Sequence, residues 1–422
     1  MALIRPQHDF EPGPLNRCQV CGSSDLDLVI DLGHQPLCDS LLSRDQLVQP
    51  ETTYPLRLMR CTDCGLVQID YVVAGQVVYH RSYPYRTGIT KELSDHHHRL
   101  SVDVVRRHNT PVDSLVVDIG SNDGTLLKGF QRQGMRVLGI EPTDIAKFAR
   151  EAGIETIQAF FDEEIARQVV ESHGQAKLIT ATNVFAHMAS LGAVLRAVEK
   201  LLAPDGLFVI ENHYLGDIIS NVQYDTAYHE HLRTYSIQSL IRLFSFYDMS
   251  VVDAQRVASY GGSIRIFVAR GGNLPMSRGL TDLLAEEIGA GLYKSETYVA
   301  FRKNVSKHKA DLLKLAITAA EQGKRFVGNS CPGRCSTLLN YVGIDRELMP
   351  YIAEQPTSLK LGLYLPGKHI PVVENSVLVE EQPDYVVLLA WHYWQTILAG
   401  LRARGVRSKF ILPLPEVQVI EN

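Results

Sequence analysis

The stretch Val116-Val117-Asp118-Ile119-Gly120-Ser121-Asn122-Asp123-Gly124 narrows the fold of this chain more than any other. An apolar, β-branched run ends in an acid, a glycine-rich turn comes next, and a helical pattern from Thr125 to Gln133 follows. That order predicts a buried strand feeding a helix through a turn at the strand's carboxyl end. Ligands of open α/β sheets settle at such ends. No Gly-Lys-Ser/Thr follows, so the turn is not a phosphate-cradling P-loop, and of a G-x-G-x-x-G only Gly120 and Gly124 are present. An acid before the first glycine suits a cationic or hydroxyl-bearing ligand better than a pyrophosphate. Taken alone, the stretch is equally an ordinary strand–turn–helix corner.

The alternation continues downstream. Arg136–Ile140 reads as a second strand ending at Glu141, about 20 residues beyond Asp118, where an acid is placed to accept both hydroxyls of a ribose. Phe160-Phe161-Asp162 closes a third unit, whose aromatics either wall an adenine or belong to the core. Lys177–Thr182 and Leu207–Glu211 read as further strands, with a helix over 192–202 and a turn at Pro204-Asp205-Gly206 between them. Met249–Val257 and Ser263–Ala269 read as a last, antiparallel pair. Before this domain, a helix is expected over 91–107. It carries His96-His97-His98, which point different ways on a helix and read as mostly solvated.

Composition sets wider bounds. The chain has 422 residues, enough for two or three domains, with 45% hydrophobic and 21% charged residues. A net charge of −5 gives no electrostatic case for nucleic acid. No apolar run reaches the roughly 18 residues that span a bilayer. The N-terminus lacks a signal-peptide pattern, and the expected setting is soluble and cytoplasmic. Four of the seven cysteines form two C-x-x-C-G knuckles, Cys18/Cys21 and Cys61/Cys64. Four thiolates so arranged make a closed tetrahedral shell, the structural type of zinc site, and the glycine after each second cysteine relieves the tight turn. Cys38 is an alternative ligand or a packed thiol. Asp31–Ser40 reads as a loop over the zinc module.

The stretch Gln223-Tyr224-Asp225-Thr226-Ala227-Tyr228-His229-Glu230-His231-Leu232-Arg233-Thr234-Tyr235-Ser236, placed between the fifth strand and the final hairpin, is dense in proton-transfer residues. His229 and His231 flank Glu230 at a spacing of two, which is not the H-E-x-x-H of a zinc protease. A histidine is suited to remove a proton, and a tyrosine hydroxyl beside it to polarise a carbonyl.

The Asp118–Gly124 loop resembles the S-adenosylmethionine (SAM) loop of class I methyltransferases. The chain as a whole resembles the sugar C-methyltransferases, SAM-dependent enzymes that act on nucleotide-linked ketosugars of deoxysugar pathways. Both knuckles, Tyr83-Pro84-Tyr85, Asp118–Gly124, Asn183–His187, Tyr228–His231, Gly261-Gly262, Thr337–Tyr341, Tyr364–Gly367 with His369–Pro371, and Pro415–Val417 carry the likeness, in family order. The resemblance implies an α/β chain of three parts. These are a zinc-binding N-terminal module (1–80), a class I methyltransferase domain of Rossmann-like plan (81–275) and a smaller Rossmann-like domain (276–422) for the nucleotide-sugar. It implies SAM bound by Asp118, Gly120, Asn122, Gly124, Glu141, Phe161 and Asn183, with a structural zinc that takes no part in catalysis. It also implies that His231 deprotonates the carbon next to the sugar ketone, Tyr228 holds the enolate oxygen, and Glu230 orients the group.

Tyr83 and Tyr85 fall where the family places tyrosines near the sugar. Tyr260, Arg334, Asn340, Tyr364 and His369 complete the expected acceptor set. In the C-terminal half the sequence departs from the family. Gly328-Asn-Ser-Cys-Pro-Gly-Arg334 stands where relatives carry Gly-x-Gly-Ala-x-x-Lys, and Tyr260 replaces a histidine. Amides and an arginine at that strand–helix turn suit a diphosphate. The expected acceptor is a TDP- or GDP-linked 4-ketosugar, with the oligomeric state left open. Two rival readings remain: O- or N-methylation of another small molecule, and a zinc-containing binding protein with a relict SAM fold.

Overall fold

The computed structural model describes residues 6–79, 86–89 and 91–421. Five strands open the chain: β1 (Gly13–Pro14), β2 (Leu26–Gln35), β3 (Tyr54–Cys61), β4 (Val67–Ile69) and β5 (Tyr71–Val72). The central region adds β6 (Leu115–Ile119), β7 (Arg136–Ile140), β8 (Thr156–Ile157), β9 (Ala176–Thr182), β10 (Leu202–His213), β11 (Arg233–Thr234), β12 (Met249–Val257) and β13 (Ser263–Arg270). The remainder holds β14 (Phe326–Asn329), β15 (Ile352–Glu354), β16 (Val372–Glu374), β17 (Tyr385–Leu388), β18 (Lys409–Leu412) and β19 (Gln418–Ile420).

The central sheet has the order β12-β13-β10-β9-β6-β7-β8, with β13 antiparallel to both its neighbours. β6 is buried along its whole length, and its alternating residues serve two cores. Val116 packs with Leu100, Val104, Leu127 and Phe130, which come from the helices Lys91–Arg107 and Thr125–Gln131. Val117 and Ile119 face the opposite core with Leu138, Leu195 and Phe208. Both faces are therefore covered by helices, as a parallel sheet requires.

The C-terminal sheet, β16-β15-β14-β17-β18-β19, is parallel except for β19. The N-terminal sheet takes its last strand from far along the chain. Its order is β11-β4-β3-β2, with Arg233 paired to Gln68 and Thr234 to Val67. One continuous core runs from Val67 and Ile69 through Tyr224 and Leu232 to Phe326 and Leu338. The segment holding the proton-transfer cluster is thus packed between the N-terminal sheet and the C-terminal domain.

Several expectations need correction. Asp31–Gln35 is not loop but the end of β2. Pro204-Asp205-Gly206 is a bulge inside β10, where the register to β9 shifts between Leu202 and Leu207. The helical pattern that the sequence shows from about Leu280 to Gln322 is two helices, Arg278–Gly289 and Ser295–Glu321, parted where Gly291 takes a positive φ of 67°. His96 and His97 are buried. The Nε2 of His96 meets Glu211 at 2.5 Å, and Arg265 pairs with the same carboxylate, so this acid is compensated inside the sheet. Among the described residues no helix is long and apolar enough to cross a membrane.

Candidate active site

A single cleft of about 1280 Å³ is lined by residues of all three parts. On the central sheet its floor is the turn after β6. Gly120 has a φ of 71°, and a Cβ there would lie 2.6 Å from Val184, so both conformation and space demand glycine. Asp118 accepts from the Thr180 hydroxyl at 2.6 Å, and burial pushes its carboxyl up to about 7. Glu141 accepts the Asn122 N–H at 3.0 Å and the Thr143 N–H at 2.9 Å, and burial raises its pKa as well. Asn183, with a φ of 54°, has a side-chain oxygen that is buried and without a partner among the described residues. Asp118, Gly120, Asn122, Glu141, Phe161 and Asn183 all line the cleft. Two buried acids and an orphaned amide oxygen make an acceptor-rich surface, which fits a ligand bearing an ammonium, ribose hydroxyls and an adenine amine. Gly124, with a φ of 75°, precedes the helix Thr125–Gln131 and packs on Ala149 and Ile154 rather than on the cleft.

Asp123 was not singled out by sequence. It accepts from the Arg86 Nε at 3.2 Å and the Gly88 N–H at 2.9 Å, while the Asn122 side chain accepts the Thr87 N–H at 2.9 Å. The segment 86–88 is thereby fastened over the turn. Tyr83 and Tyr85 lie outside the described residues.

The proton-transfer cluster is shaped by a tight turn, in which the His231 N–H donates to the Tyr228 carbonyl at 2.9 Å. The first and last residues of such a turn are neighbours, and the rings of Tyr228 and His231 sit 3.9 Å apart. The Nδ1 of His231 lies 2.6 Å from the Thr226 carbonyl. A carbonyl only accepts, so Nδ1 carries the proton and Nε2 keeps a free lone pair. Burial lowers the His231 pKa to about 4. Burial raises that of Tyr228 well above its usual value, with the Cys38 thiol and the Glu230 carboxylate adding to the shift. At neutral pH the pair is therefore an unprotonated imidazole beside a protonated phenol.

Glu230 does not hold the His231 ring; Thr226 does. The turn aims Glu230 instead at Cys38, whose thiol donates to Oε1 at 3.3 Å. Cys38 thus belongs to this site and not to the zinc shell. His229 points into the N-terminal sheet, with its Nε2 3.2 Å from the Pro55 carbonyl.

Two further histidines, His187 and His213, stand 4.9 Å and 5.0 Å from the His231 ring and line the cleft. Burial depresses both well below the ordinary imidazole range. His187 lay within a quoted motif without being singled out, and His213 was missed, because nothing in the sequence says that β10 ends beside the later turn.

The expected acceptor residues divide. Tyr260 and Arg334 line the cleft, whereas Asn340, Tyr364 and His369 do not. Asn340 donates to the Pro366 carbonyl at 3.0 Å, Tyr364 bridges in antiparallel fashion to Leu42, and His369 meets Glu51 at 3.0 Å. These contacts fasten the Pro366–Gly367 turn and join the C-terminal domain to the N-terminal module. Arg334 is buried and fully engaged. It donates to both Asp225 oxygens at 2.8 Å and 2.9 Å, to the Tyr260 carbonyl at 3.2 Å and to Gln223 at 3.3 Å. Its remaining N–H meets His392 at 3.3 Å. The guanidinium has no donor left for a diphosphate. Lys360 also lines the cleft and is paired with Asp39 at 2.5 Å.

Away from the cleft, the sulfur atoms of Cys18, Cys21, Cys61 and Cys64 all lie within 4.8 Å of one another. The nearest pairs are 3.5 Å (Cys18–Cys64) and 3.4 Å (Cys21–Cys61) apart. Tetrahedral zinc with Zn–S near 2.3 Å sets sulfurs about 3.8 Å apart, so the cage fits the ion. The N–H groups of Val20 and Cys21 point at the Cys18 sulfur from 3.4 Å, and Gly22 and Gly65 take positive φ of 75° and 74°.

Three domain families match the chain in succession: a zinc binding domain over residues 18–79, a methyltransferase domain over 85–254, and a C-methyltransferase C-terminal domain over 258–415. The C-methyltransferase NovU of Streptomyces niveus is 33% identical over 410 residues, covering 96% of this chain and 97% of its own. A ubiquinone biosynthesis O-methyltransferase of Yersinia enterocolitica is 27% identical over 113 residues, 24% of this chain and 44% of the relative. Among solved structures, the 1,6-didemethyltoxoflavin-N1-methyltransferase of Burkholderia thailandensis is 16% identical with a TM-score of 0.37, covering 51% of this chain and 96% of its own.

Proposed function

Since the chain belongs to the SAM-dependent C-methyltransferase family, with a structural zinc in its N-terminal domain, we propose that it methylates a ring carbon of a nucleotide-linked 4-ketosugar, a step of branched deoxysugar biosynthesis. The observation that carries this reading is the state of His231: neutral, fixed through Nδ1, and adjoining a protonated Tyr228 in the cleft that the SAM turn also lines.

A ring carbon becomes nucleophilic only when a neighbouring carbonyl lets it lose a proton. In this reading Nε2 of His231 takes that proton, and the Tyr228 hydroxyl donates a hydrogen bond to the enolate oxygen as charge collects there. Glu230 acts on the site through Cys38, and the neutral rings of His187 and His213 keep a second cation away from the imidazolium that forms. Asp118, Gly120, Asn122, Glu141, Phe161 and Asn183 hold SAM, which when bound supplies an electrophilic methyl group. Tyr83 and Tyr85 contact the sugar.

Incubation of nucleotide-linked 4-ketosugars in deuterated water with the enzyme, without SAM, tests the reading. Deuterium is expected at the carbon beside the ketone, followed on addition of SAM by a gain of one methyl at that carbon. Methyl transfer to oxygen or nitrogen without exchange would overturn it in favour of the O- or N-methylation reading.

A further inference from the structure

A buried side chain joins the zinc cage to the turn that carries His231. Gln19 lies inside the first knuckle, between Cys18 and Cys21, and is wholly buried. Its backbone N–H donates to Gln68 Oε1 at 2.7 Å, and Gln68 Nε2 donates in turn to the Arg17 carbonyl at 3.0 Å, so the knuckle is fastened to β4. The Gln19 side chain then reaches out of the knuckle to the residues that follow His231. Its Nε2 donates to the Leu232 carbonyl at 3.2 Å and to the Ile69 carbonyl at 3.4 Å, and its Oε1 accepts from Arg233 at 2.9 Å. One amide thus grips the chain on both sides of the Leu232–Arg233 peptide.

Arg233 carries the link further. Its guanidinium also donates to the carbonyl of Met188. That residue follows His187, whose ring stands 4.9 Å from the ring of His231. Arg233 is buried, and among the described residues no carboxylate pairs with it. The acidic groups that face it are the Tyr235 hydroxyl and the Cys18 thiol. A zinc ion held by four thiolates is net anionic, and a buried cation needs such a counter-charge. The cage therefore holds Arg233 by charge and, through Gln19, by hydrogen bonds. Thr226 holds the Nδ1 side of the His231 ring, while Gln19 and Arg233 hold the backbone that leaves it and the segment that bears His187.

We infer that Gln19 and Arg233 are positioning residues for His231, and that through them the zinc knuckle sets where its Nε2 meets the substrate carbon. The metal touches no reacting atom; it acts on the reaction by holding Gln19. This rests on the reading of His231 as the base. A base displaced by about 1 Å loses on the order of a hundredfold in rate, whereas SAM, seated on the turn after β6, should bind as before.

Deuterium exchange into a nucleotide-linked 4-ketosugar without SAM, measured on the zinc-loaded full chain, tests the inference. Gln19→Met keeps the length of the side chain and removes its hydrogen bonds. This variant is expected to retain its zinc by metal analysis and its affinity for S-adenosylhomocysteine by calorimetry. Exchange at saturating ketosugar should fall about tenfold to a hundredfold, while half-saturation moves less than about threefold. Arg233→Met should lose exchange likewise, and Arg233→Lys, which keeps the charge and a donor, should recover part of that loss. Native exchange in Gln19→Met with zinc bound would overturn the inference and leave His231 as the base. Exchange in Arg233→Lys no better than in Arg233→Met would equally overturn it. So would loss of zinc or of S-adenosylhomocysteine binding in Gln19→Met, because Gln19 would then serve the fold and not the base. Absence of exchange in the native enzyme would remove the reading of His231 and the inference with it.

Discussion

The Nδ1 of His231 is bonded to the carbonyl of Thr226, not to the neighbouring carboxylate of Glu230, at 2.6 Å in a buried turn. A carbonyl fixes the tautomer as an acid would, but adds no negative charge to stabilise the imidazolium. The base is thereby kept weak and unprotonated until substrate arrives.

His231→Asn is expected to retain S-adenosylhomocysteine affinity and to lose deuterium exchange and methylation by roughly 10²–10⁴-fold. Tyr228→Phe should reduce exchange less than His231→Asn, since it removes a stabiliser and not the base. Quenched-flow exchange measurements with calorimetry separate the two; near-normal exchange in His231→Asn would remove that residue from the role of base.

The pH dependence follows from the same burial. The active form of His231 is neutral and its pKa is lowered to about 4, so deuterium exchange without SAM, which His231 controls, should show no acid limb at pH 6.5. Stability behaves differently. His97, His229 and His231 are all lowered to about 4, while in the unfolded chain they bind protons below about 6.5. Their contribution is whole above pH 6.5 and is lost as the pH falls towards 4, by roughly 1 kcal/mol per pH unit for each. Urea titrations at pH 7.5, 6 and 5 should show a falling midpoint; a constant midpoint would contradict the depressed values.

Arg334→Ala removes the guanidinium that pairs with the buried Asp225 and leaves the Trp391 Nε1–H, at 2.9 Å, as its side-chain donor among the described residues. A loss of about 3–5 kcal/mol is expected. Arg334→Lys should restore little, because one ammonium cannot satisfy Asp225, Gln223 and the Tyr260 carbonyl together. The measurement is denaturant unfolding of both variants, and full recovery in the lysine variant would contradict the geometry.

Gly120→Ala meets two obstacles, a left-handed backbone and the side chain of Val184. Adding Val184→Ala relieves only the second. SAM affinity is expected to fall in Gly120→Ala and to recover incompletely in the double variant, because the backbone strain of about 1–2 kcal/mol remains. Complete recovery would show the strain to be negligible.

Much of this architecture was legible in the sequence because periodicity and punctuation are local. The helix Lys91–Arg107 and the strands Arg136–Ile140 and Met249–Val257 fall where the residues alone place them. The acids at Asp118 and Glu141 were legible because a parallel sheet fixes where strand ends point. Partners chosen in three dimensions were not. Asn340, Tyr364 and His369 share the polar character of a binding set, yet they bind the chain to itself. His96 and His97 were misread as solvated, and His213 was overlooked, because a polar residue declares its surroundings only through a partner distant in sequence, as His96 does with Glu211.

The pairing of β11 with β4 has a consequence for synthesis and folding. When the first domain emerges from the ribosome, Val67–Ile69 is an exposed edge, open to pairing with another chain. It stays so until residues 233–234 have been made and brought back, a contact of long sequence separation and therefore slow to form. Only Leu232 separates those residues from His231, so closing the first sheet and setting the Tyr228–His231 turn are one event. A chain cut before Arg233 would keep its metal cage but present an unprotected edge, and aggregation of such fragments is the expected price of building the active site onto the border of another domain.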